Sequence, residues 1–87
     1  MGVSRTGPTV TLYGRAGCHL CEQAAALLRG MGCTVNEVDI DTDAALLARY
    51  DTAVPVVVLG DAEIARAPID RAALERRLAL SRRRRGA

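Results

Sequence analysis

The stretch TVTLYGRAGCHLCEQAAALL, residues 9–28, joins a strand pattern to a helix pattern through two cysteines. Residues 9–13 are β-branched, aliphatic or aromatic and end at Gly14, which is typical of a strand of about five residues. From Cys18 onward, apolar side chains recur at helical spacing until Gly30 and Gly32 end the pattern. These apolar positions are Leu20, Ala24, Leu27, Leu28 and Met31. The sequence therefore predicts a strand that leads directly into a helix, with the CHLC motif at the junction.

The next segments continue the alternation of strands and helices. Residues 33–40, CTVNEVDI, contain Val and Ile at strand-like positions and predict a second strand. The DTD run that follows offers Asp41 or Thr42 as the cap of a second helix over about residues 43–50. We expect this helix to bury Leu46, Leu47 and Tyr50.

The apolar run VPVVVL at residues 54–59 predicts a strand buried on both faces. Gly60 and Asp61 then form a turn into a short fourth strand around residues 63–65, so these two strands are expected to form a hairpin. Strand-helix-strand units impose parallel pairing with right-handed crossovers, and the hairpin adds an antiparallel edge. The order βαβαββα predicts an α/β fold with a central four-stranded mixed sheet flanked by helices.

A third helix completes the predicted domain. Asp70 can cap this helix, which we expect to reach about Leu80. Its apolar stripe consists of Leu74 and Leu78. Residues 1–8 and 81–87 are expected to be disordered tails, which leaves one small domain at residues 9–80.

Composition excludes several functional classes. The chain of 87 residues carries twelve basic residues, all Arg, against ten acidic ones, so its net charge of +2 does not indicate a nucleic-acid partner. The run Arg82–Arg85 lacks interleaved aromatic residues and is typical of a solvated tail. No apolar stretch approaches the roughly 20 residues that span a bilayer, and no secretory signal is expected. We therefore expect a cytoplasmic protein with no membrane partner.

The two cysteines of CHLC are suited to redox chemistry. A thiol at the start of a helix lies near unpaired backbone N–H groups and the positive end of the helix dipole, which favour thiolate at Cys18. Cys21 lies three residues later on the same side of the helix, so a reversible disulfide is geometrically possible. Cys18 would attack a substrate disulfide and Cys21 would resolve the mixed disulfide. His19 could donate to the Cys18 sulfur and tune the redox couple, or be an exposed residue of the first turn.

Metal binding is the main chemical alternative. A zinc site needs about four ligands, and the chain offers Cys18, Cys21, Cys33 and His19 without a second CxxC pair. An iron–sulfur cluster shared between two protomers would need thiolate ligands, and the pairing of Cys21 with Cys18 makes such a cluster less favourable. Cys33 is interpreted as a small buried apolar residue, with a regulatory or dimer-forming thiol as the alternative. The prediction is no metal and a monomer.

The segment order and three motifs resemble the glutaredoxin-like branch of the thioredoxin superfamily. The motifs are YGRAGCHLC, EVDID after the first helix, and VPVVVLG at the third strand. This resemblance implies a thioredoxin fold and a thiol-disulfide oxidoreductase, with Cys18 as the exposed nucleophile and Cys21 as the resolving thiol. It also implies that Pro55 is a cis proline facing the cysteines, which would expose the Val54 backbone to a bound peptide or thiol tripeptide. Arg15 occupies a position where similar proteins often carry a cation that meets a substrate carboxylate. Alternatively, Arg15 could favour the thiolate form of Cys18, or be a solvated arginine of the loop with neither role.

Two segments depart from the glutaredoxin pattern. Those proteins usually have Pro-Tyr inside the motif and a Gly-Gly-Cys-Asp-like segment after the third strand, where this chain has His19-Leu20 and GDAEIARAPID. The second glutathione-holding segment of those proteins is therefore missing or remodelled here, which leaves the reductant open between glutathione, another low-molecular-weight thiol and a protein reductase. No bound cofactor is expected. The expected substrates are disulfide-bearing proteins or small disulfides. The alternatives are a noncatalytic interaction module and an iron–sulfur or zinc carrier.

Overall fold

The computed structural model describes the backbone of residues 7–86 and the side chains of residues 7–81. The elements follow in the order β1 (Thr9–Gly14), α1 (His19–Gly30), β2 (Thr34–Asp39), a short 3₁₀ helix (Ile40–Thr42), α2 (Ala44–Tyr50), β3 (Val56–Leu59), β4 (Ala62–Arg66) and α3 (Arg71–Gly86). The predicted order βαβαββα is confirmed, with the 3₁₀ helix as an addition.

The four strands form one mixed sheet in the order β2-β1-β3-β4. Strand β1 pairs in parallel with β2 and antiparallel with β3, and β3 pairs antiparallel with β4. The expected hairpin is present, but the expectation that every strand-helix-strand unit is parallel is wrong for β3. Helix α2 has seven residues and spans only about 10 Å, whereas the six residues of β2 span about 20 Å. The short helix does not return the chain to the starting end of the sheet, so β3 runs back from the end where β2 stopped.

The core is divided into two clusters by the sheet. The larger cluster joins α1 and α3 to one face and includes Val10, Leu12, Leu28, Val57 and Leu74. The smaller cluster joins α2 to the other face and contains Ile40, Tyr50 and Val56, with Tyr13 packed against it. Inner strands β1 and β3 contribute to both clusters because successive side chains of a strand point to opposite faces. The prediction that the third strand is buried on both faces is confirmed.

The helix caps agree with the sequence at one helix and differ at another. The Asp70 carboxylate accepts hydrogen bonds from the Ala72 and Ala73 N–H groups at the start of α3, as predicted. Helix α2 is capped by Asp43, not by Asp41 or Thr42. The extra 3₁₀ turn occupies residues 40–42, which moves the helix start past both predicted caps.

The described part of the chain extends beyond the predicted domain at both ends. Pro8 is buried and its carbonyl accepts a hydrogen bond from the Thr34 N–H at 3.1 Å, so residues 7 and 8 belong to the folded body. Helix α3 continues to Gly86, past the predicted end at Leu80, because residues 81–85 contain no glycine or proline and arginine is a good helix former. The predicted tails at residues 1–6 and 87 lie outside the described residues. None of the described helices is long and apolar enough to cross a membrane.

Candidate functional site

The cysteine pair lies where β1 passes into α1. Gly17 has a positive φ of 73°, a backbone conformation that glycine adopts without steric cost, and it turns the chain just before Cys18. Cys18 has extended backbone angles and is the N-cap of α1. Its Sγ accepts a hydrogen bond from the Cys21 N–H at 3.1 Å. The predicted position of Cys18 at the mouth of the helix is confirmed.

Cys18 and Cys21 form a disulfide bond. Their Cα atoms are 5.2 Å apart, within the usual range of about 4.4–6.8 Å for disulfides. Cys21 is only 6% exposed, whereas Cys18 is partly exposed. A thiol arriving from solvent can therefore reach the sulfur of Cys18 more readily than that of Cys21.

Gly14 is a site residue that the sequence reasoning missed. A Cβ atom at this position would lie 2.9 Å from the Sγ and 3.0 Å from the Cβ of Cys21. Both distances are too short for a side chain to fit without displacing Cys21. The only sequence signal was a glycine at the end of a strand, which marks a close approach as readily as a turn. Gly14 thus provides the space that Cys21 occupies.

The His19 side chain is exposed on the surface of α1. Its imidazole is 79% exposed, its Nε2 lies 3.1 Å from the Gln23 amide nitrogen, and its Nδ1 lies 4.0 Å from the Glu22 carboxylate. Residues three and four positions apart are neighbours on a helix surface, so these partners are the local ones. The predicted donation from His19 to the Cys18 sulfur is absent from this structure. An influence of His19 on the redox couple stays a prediction.

Arg15 is held by two carboxylates, one from the 3₁₀ helix and one from the end of α2. Its guanidinium donates to both Asp41 carboxylate oxygens at 2.8 and 3.3 Å, and to the Asp51 carboxylate and carbonyl at 3.0 Å each. Four of the roughly five N–H donors of an arginine are therefore used. The hydrogen bonds from Arg15 lower the pKa of Asp41, and those two carboxylates raise the pKa of Arg15. In this structure Arg15 ties the loop before Cys18 to the 3₁₀ helix and to the end of α2. A contact between Arg15 and a substrate carboxylate stays a prediction.

The Val54–Pro55 peptide bond is cis, as the resemblance implies. That Pro55 faces the cysteines stays a prediction. Pro55 is buried, and its carbonyl accepts a hydrogen bond from the Ala67 N–H at 2.9 Å. The backbone N–H and C=O of Val54 make no hydrogen bond within residues 7–86. A second cis bond, Ala67–Pro68, was not anticipated from the sequence.

A groove of about 250 Å³, here called the Leu20 groove, begins at the first turn of α1, and neither cysteine lines it. Helix α1 forms one wall, and the other is formed by Pro55 and the loop between β4 and α3. Its lining consists of Leu20, Gln23, Ala24, Leu27, Pro55, Ala67, Pro68 and Ile69. Leu20 was expected on the buried stripe of the first helix, but it is 57% exposed. The buried side of α1 is centred on Cys21, Ala24, Ala25 and Leu28, so Leu20 lies at the edge of the predicted stripe.

The aspartates around the 3₁₀ helix and Cys33 have structural roles. Within the part of the chain that the structure describes, no group of three or more His, Cys, Asp or Glu residues is placed to hold a metal ion. Asp39 caps the 3₁₀ helix, Asp43 caps α2 and Asp41 binds Arg15. Cys33 is buried in the larger core cluster, as predicted for a small apolar residue.

Comparison with known proteins gives a consistent set of similarities. A family model described as glutaredoxin-like domain (DUF836) matches residues 9–79. The X-ray structure of the target protein XcR50 from X. campestris is 37% identical with a TM-score of 0.73, and the alignment covers 82% of this chain and 96% of that one. The solution structure of protein Ne2328 from Nitrosomonas europaea is 30% identical with a TM-score of 0.72, covering 90% and 99%. A search of curated proteins found no match.

A more distant structural neighbour identifies the general fold. The solution structure of oxidised thioredoxin from Plasmodium falciparum has a TM-score of 0.54, covering 84% of this chain and 79% of that one. The two sequences are 13% identical, so this likeness shows the shared fold alone.

Proposed function

Since the chain belongs to the glutaredoxin-like domain family (DUF836) and has the thioredoxin fold, we propose that it is a thiol-disulfide oxidoreductase that uses Cys18 and Cys21 to reduce disulfides. One observation carries this proposal: the two cysteines form a disulfide at the start of a helix, with Cys18 partly exposed and Cys21 buried. That asymmetry suits one sulfur for exchange with a partner and the other for resolving the intermediate.

The reaction begins with the reduced protein. The Cys18 thiolate attacks one sulfur of a substrate disulfide, forming a mixed disulfide and releasing the first substrate thiol. Cys21 then loses its proton and attacks the Cys18 sulfur, which forms the protein disulfide and releases the second thiol. Two electrons pass from the protein dithiol to the substrate. The position of Cys18 at the helix N-cap supports the first step, because the Cys21 N–H and the helix dipole stabilise negative charge on its sulfur.

A thiol reductant must return the protein disulfide to the dithiol. The proposed reductant is glutathione, another low-molecular-weight thiol or a protein reductase, acting as co-substrate with no bound cofactor. The proposed working form is a cytoplasmic monomer with no nucleic-acid or membrane partner. In place of a glutathione-holding segment, residues 60–70 form a turn, β4 and the loop with the Ala67–Pro68 cis bond.

The test is a single-turnover reaction of the reduced protein with 2-hydroxyethyl disulfide, after dithiothreitol has been removed. We expect formation of the Cys18–Cys21 disulfide with release of two equivalents of 2-mercaptoethanol, and loss of this reaction in Cys18→Ala. Cys33→Ala is the matched control, since it removes a core thiol outside the site and should keep the reaction. An undiminished reaction of Cys18→Ala would reject the proposal, and no reaction of the natural protein would favour a noncatalytic interaction module.

A redox titration gives the direction of electron flow. Equilibration with glutathione and dithiol buffers should place the couple near about −230 to −270 mV if the protein acts as a reductase. A value near about −120 mV would identify an oxidant and contradict the proposed direction.

A further inference from the structure

Helix α3 concentrates positive charge in one part of the molecule. It contains seven arginines and one glutamate, a net charge of +6, whereas the rest of the chain has five arginines and nine carboxylates, a net charge of −4. The small net charge of the whole chain therefore combines two regions of opposite sign. Glu75 is paired with Arg71, whereas Arg76 and Arg77 are exposed and make no ion pair within residues 7–81. The positive charge of Arg76 and Arg77 is thus available to a partner.

The arginine run at residues 82–85 belongs to the same helix. Helix α3 continues to Gly86, so the backbone of these four residues is helical. Positions 83 and 84 come seven residues after Arg76 and Arg77, which is about two helical turns, so they lie on the same sides of the helix. These four positions, here called the arginine face, follow α3 for about 12 Å at a rise of about 1.5 Å per residue.

An apolar groove of about 310 Å³, here called the Leu80 groove, lies between α3 and the β3–β4 hairpin. Leu59, Ile64 and Leu80 supply its large apolar side chains, and Arg77 and Asp61 are the charged residues that line it. Leu80 is 52% exposed. Because Arg77 belongs both to this groove and to the arginine face, the surface places an apolar contact directly beside positive charge.

The Leu80 groove lies at the opposite end of the sheet from the cysteine pair. Strand β1 runs toward the cysteines, and β3 runs antiparallel to it, with Val56 opposite Tyr13 and Val58 opposite Thr11. The hairpin turn that follows β3 is therefore beyond the starting end of β1. A partner can bind in this groove without covering Cys18.

Positive charge attracts several classes of partner, and the other features of α3 distinguish them. A helix that binds a membrane surface needs an exposed apolar face, but the apolar stripe of α3, Leu74 and Leu78, is buried in the larger core cluster. Single-stranded nucleic acid binds with its bases stacked on aromatic side chains, and α3 contains none. A polypeptide can supply carboxylates for the arginines together with an apolar side chain for the groove.

We propose that the arginine face and the Leu80 groove together form a docking surface for an acidic polypeptide that carries an exposed apolar side chain. The carboxylates of the partner lie along α3, and its apolar side chain enters the groove between α3 and the hairpin. This surface is separate from the disulfide, so the inference goes beyond the proposed function and does not depend on it.

The experiment measures, by fluorescence anisotropy, the binding of fluorescein-labelled peptides to the oxidised full chain. One peptide repeats a leucine followed by three glutamates, and the other has serine in place of each leucine. We expect the leucine peptide to bind at least about threefold more tightly, because part of its apolar surface is buried in the groove. Its affinity should fall as the NaCl concentration is raised, since salt screens exposed charges.

Two sets of variants separate charge from apolar contact. Changing all four of Arg82–Arg85 to glutamine, another good helix former, should weaken binding at least about tenfold at low salt. That factor equals about 1.4 kcal/mol, which four exposed ion pairs can supply. Arg77→Gln should also weaken binding, whereas Arg49→Gln, which removes an exposed arginine of α2, should change it by less than about twofold.

Leu80→Ser should abolish the preference for the leucine peptide. Leu20→Ser is the matched control, because Leu20 is a similarly exposed leucine, at 57%, outside this groove, and it should keep the preference. The variants of α3 should react with 2-hydroxyethyl disulfide as the natural protein does, which shows that they are folded.

Four results would overturn the inference. They are equal binding of the two peptides, undiminished binding by the glutamine variants, tighter binding of oligothymidylate or of phosphatidylserine vesicles than of the leucine peptide, and salt-sensitive dimers in sedimentation that the fourfold glutamine variant abolishes. The last result would assign the surface to a second copy of this chain. None of these measurements uses thiol exchange, so each leaves the proposed oxidoreductase function standing.

Discussion

Gly14→Ala should destabilise the protein by crowding Cys21. The added methyl carbon would lie 2.9 Å from the Cys21 Sγ and 3.0 Å from its Cβ. These distances are roughly 0.5–1 Å shorter than the usual contact of about 3.5–4.0 Å between carbon atoms. Cys21 is buried at the base of α1, so it cannot move aside without shifting the helix. Overpacking of this kind typically costs about 1–3 kcal/mol.

The assay is urea unfolding of the oxidised protein, with the free energy of unfolding obtained by linear extrapolation. Gly30→Ala is the matched control, because a Cβ there would meet nothing within 4 Å. Gly30 is the last residue of α1, where alanine should leave stability unchanged or raise it by up to about 1 kcal/mol. If Gly14→Ala were as stable as the natural protein while Gly30→Ala behaved as expected, the close packing of Gly14 on Cys21 would be refuted.

Two further predictions concern the ion pairs of Arg15 with Asp41 and Asp51, and the larger core cluster. Arg15 depresses the pKa of Asp41 in the folded state, so the contribution of this carboxylate to stability is fully present above its ordinary pKa of about 3.9 and is lost as the pH falls through the lowered value. The destabilisation caused by Asp41→Asn, measured by urea unfolding, should therefore be larger at pH 7 than at pH 2.5. An equal effect at both pH values would contradict a stabilising ion pair between Arg15 and Asp41. Leu28→Ala should cost about 2–5 kcal/mol because Leu28 is fully buried, whereas Leu20→Ala on the exposed side of the same helix should cost less than about 1 kcal/mol. Similar losses for the two leucines would show that the larger core is assigned wrongly.

Local patterns in the sequence were sufficient to predict most of the architecture. The strand-like run before Gly14 and the helical spacing after Cys18 follow the local patterns of a strand and a helix, and the continuous apolar run at residues 54–59 is typical of a buried strand. Strand direction was less accessible, because the orientation of β3 depends on how far α2 travels in space. The end of α3 was also missed, since an arginine run reads as a solvated tail although arginine supports a helix.

The candidate site was predictable where its chemistry lies in adjacent residues and hidden where it depends on distant ones. The CxxC spacing and the helix start predicted the position of the cysteine pair. The partners of Arg15 are 26 and 36 residues away along the chain, so no local pattern could show that its donors are occupied. The Leu20 groove likewise requires the loop at residues 67–69 to lie beside α1, which only the folded topology determines.

The valine run of β3 has one more consequence. Val56, Val57 and Val58 are chemically identical, yet Val56 belongs to one core cluster and Val57 to the other. Composition therefore gives this strand no means of distinguishing its two sides, and a slip by one position would exchange like for like in the interior. Its alignment must be fixed at the extremities, by Pro55, which lacks a backbone donor, and by Gly60, whose φ of 65° closes the hairpin. The residues that flank β3, more than the valines within it, therefore determine the register of this strand in the sheet.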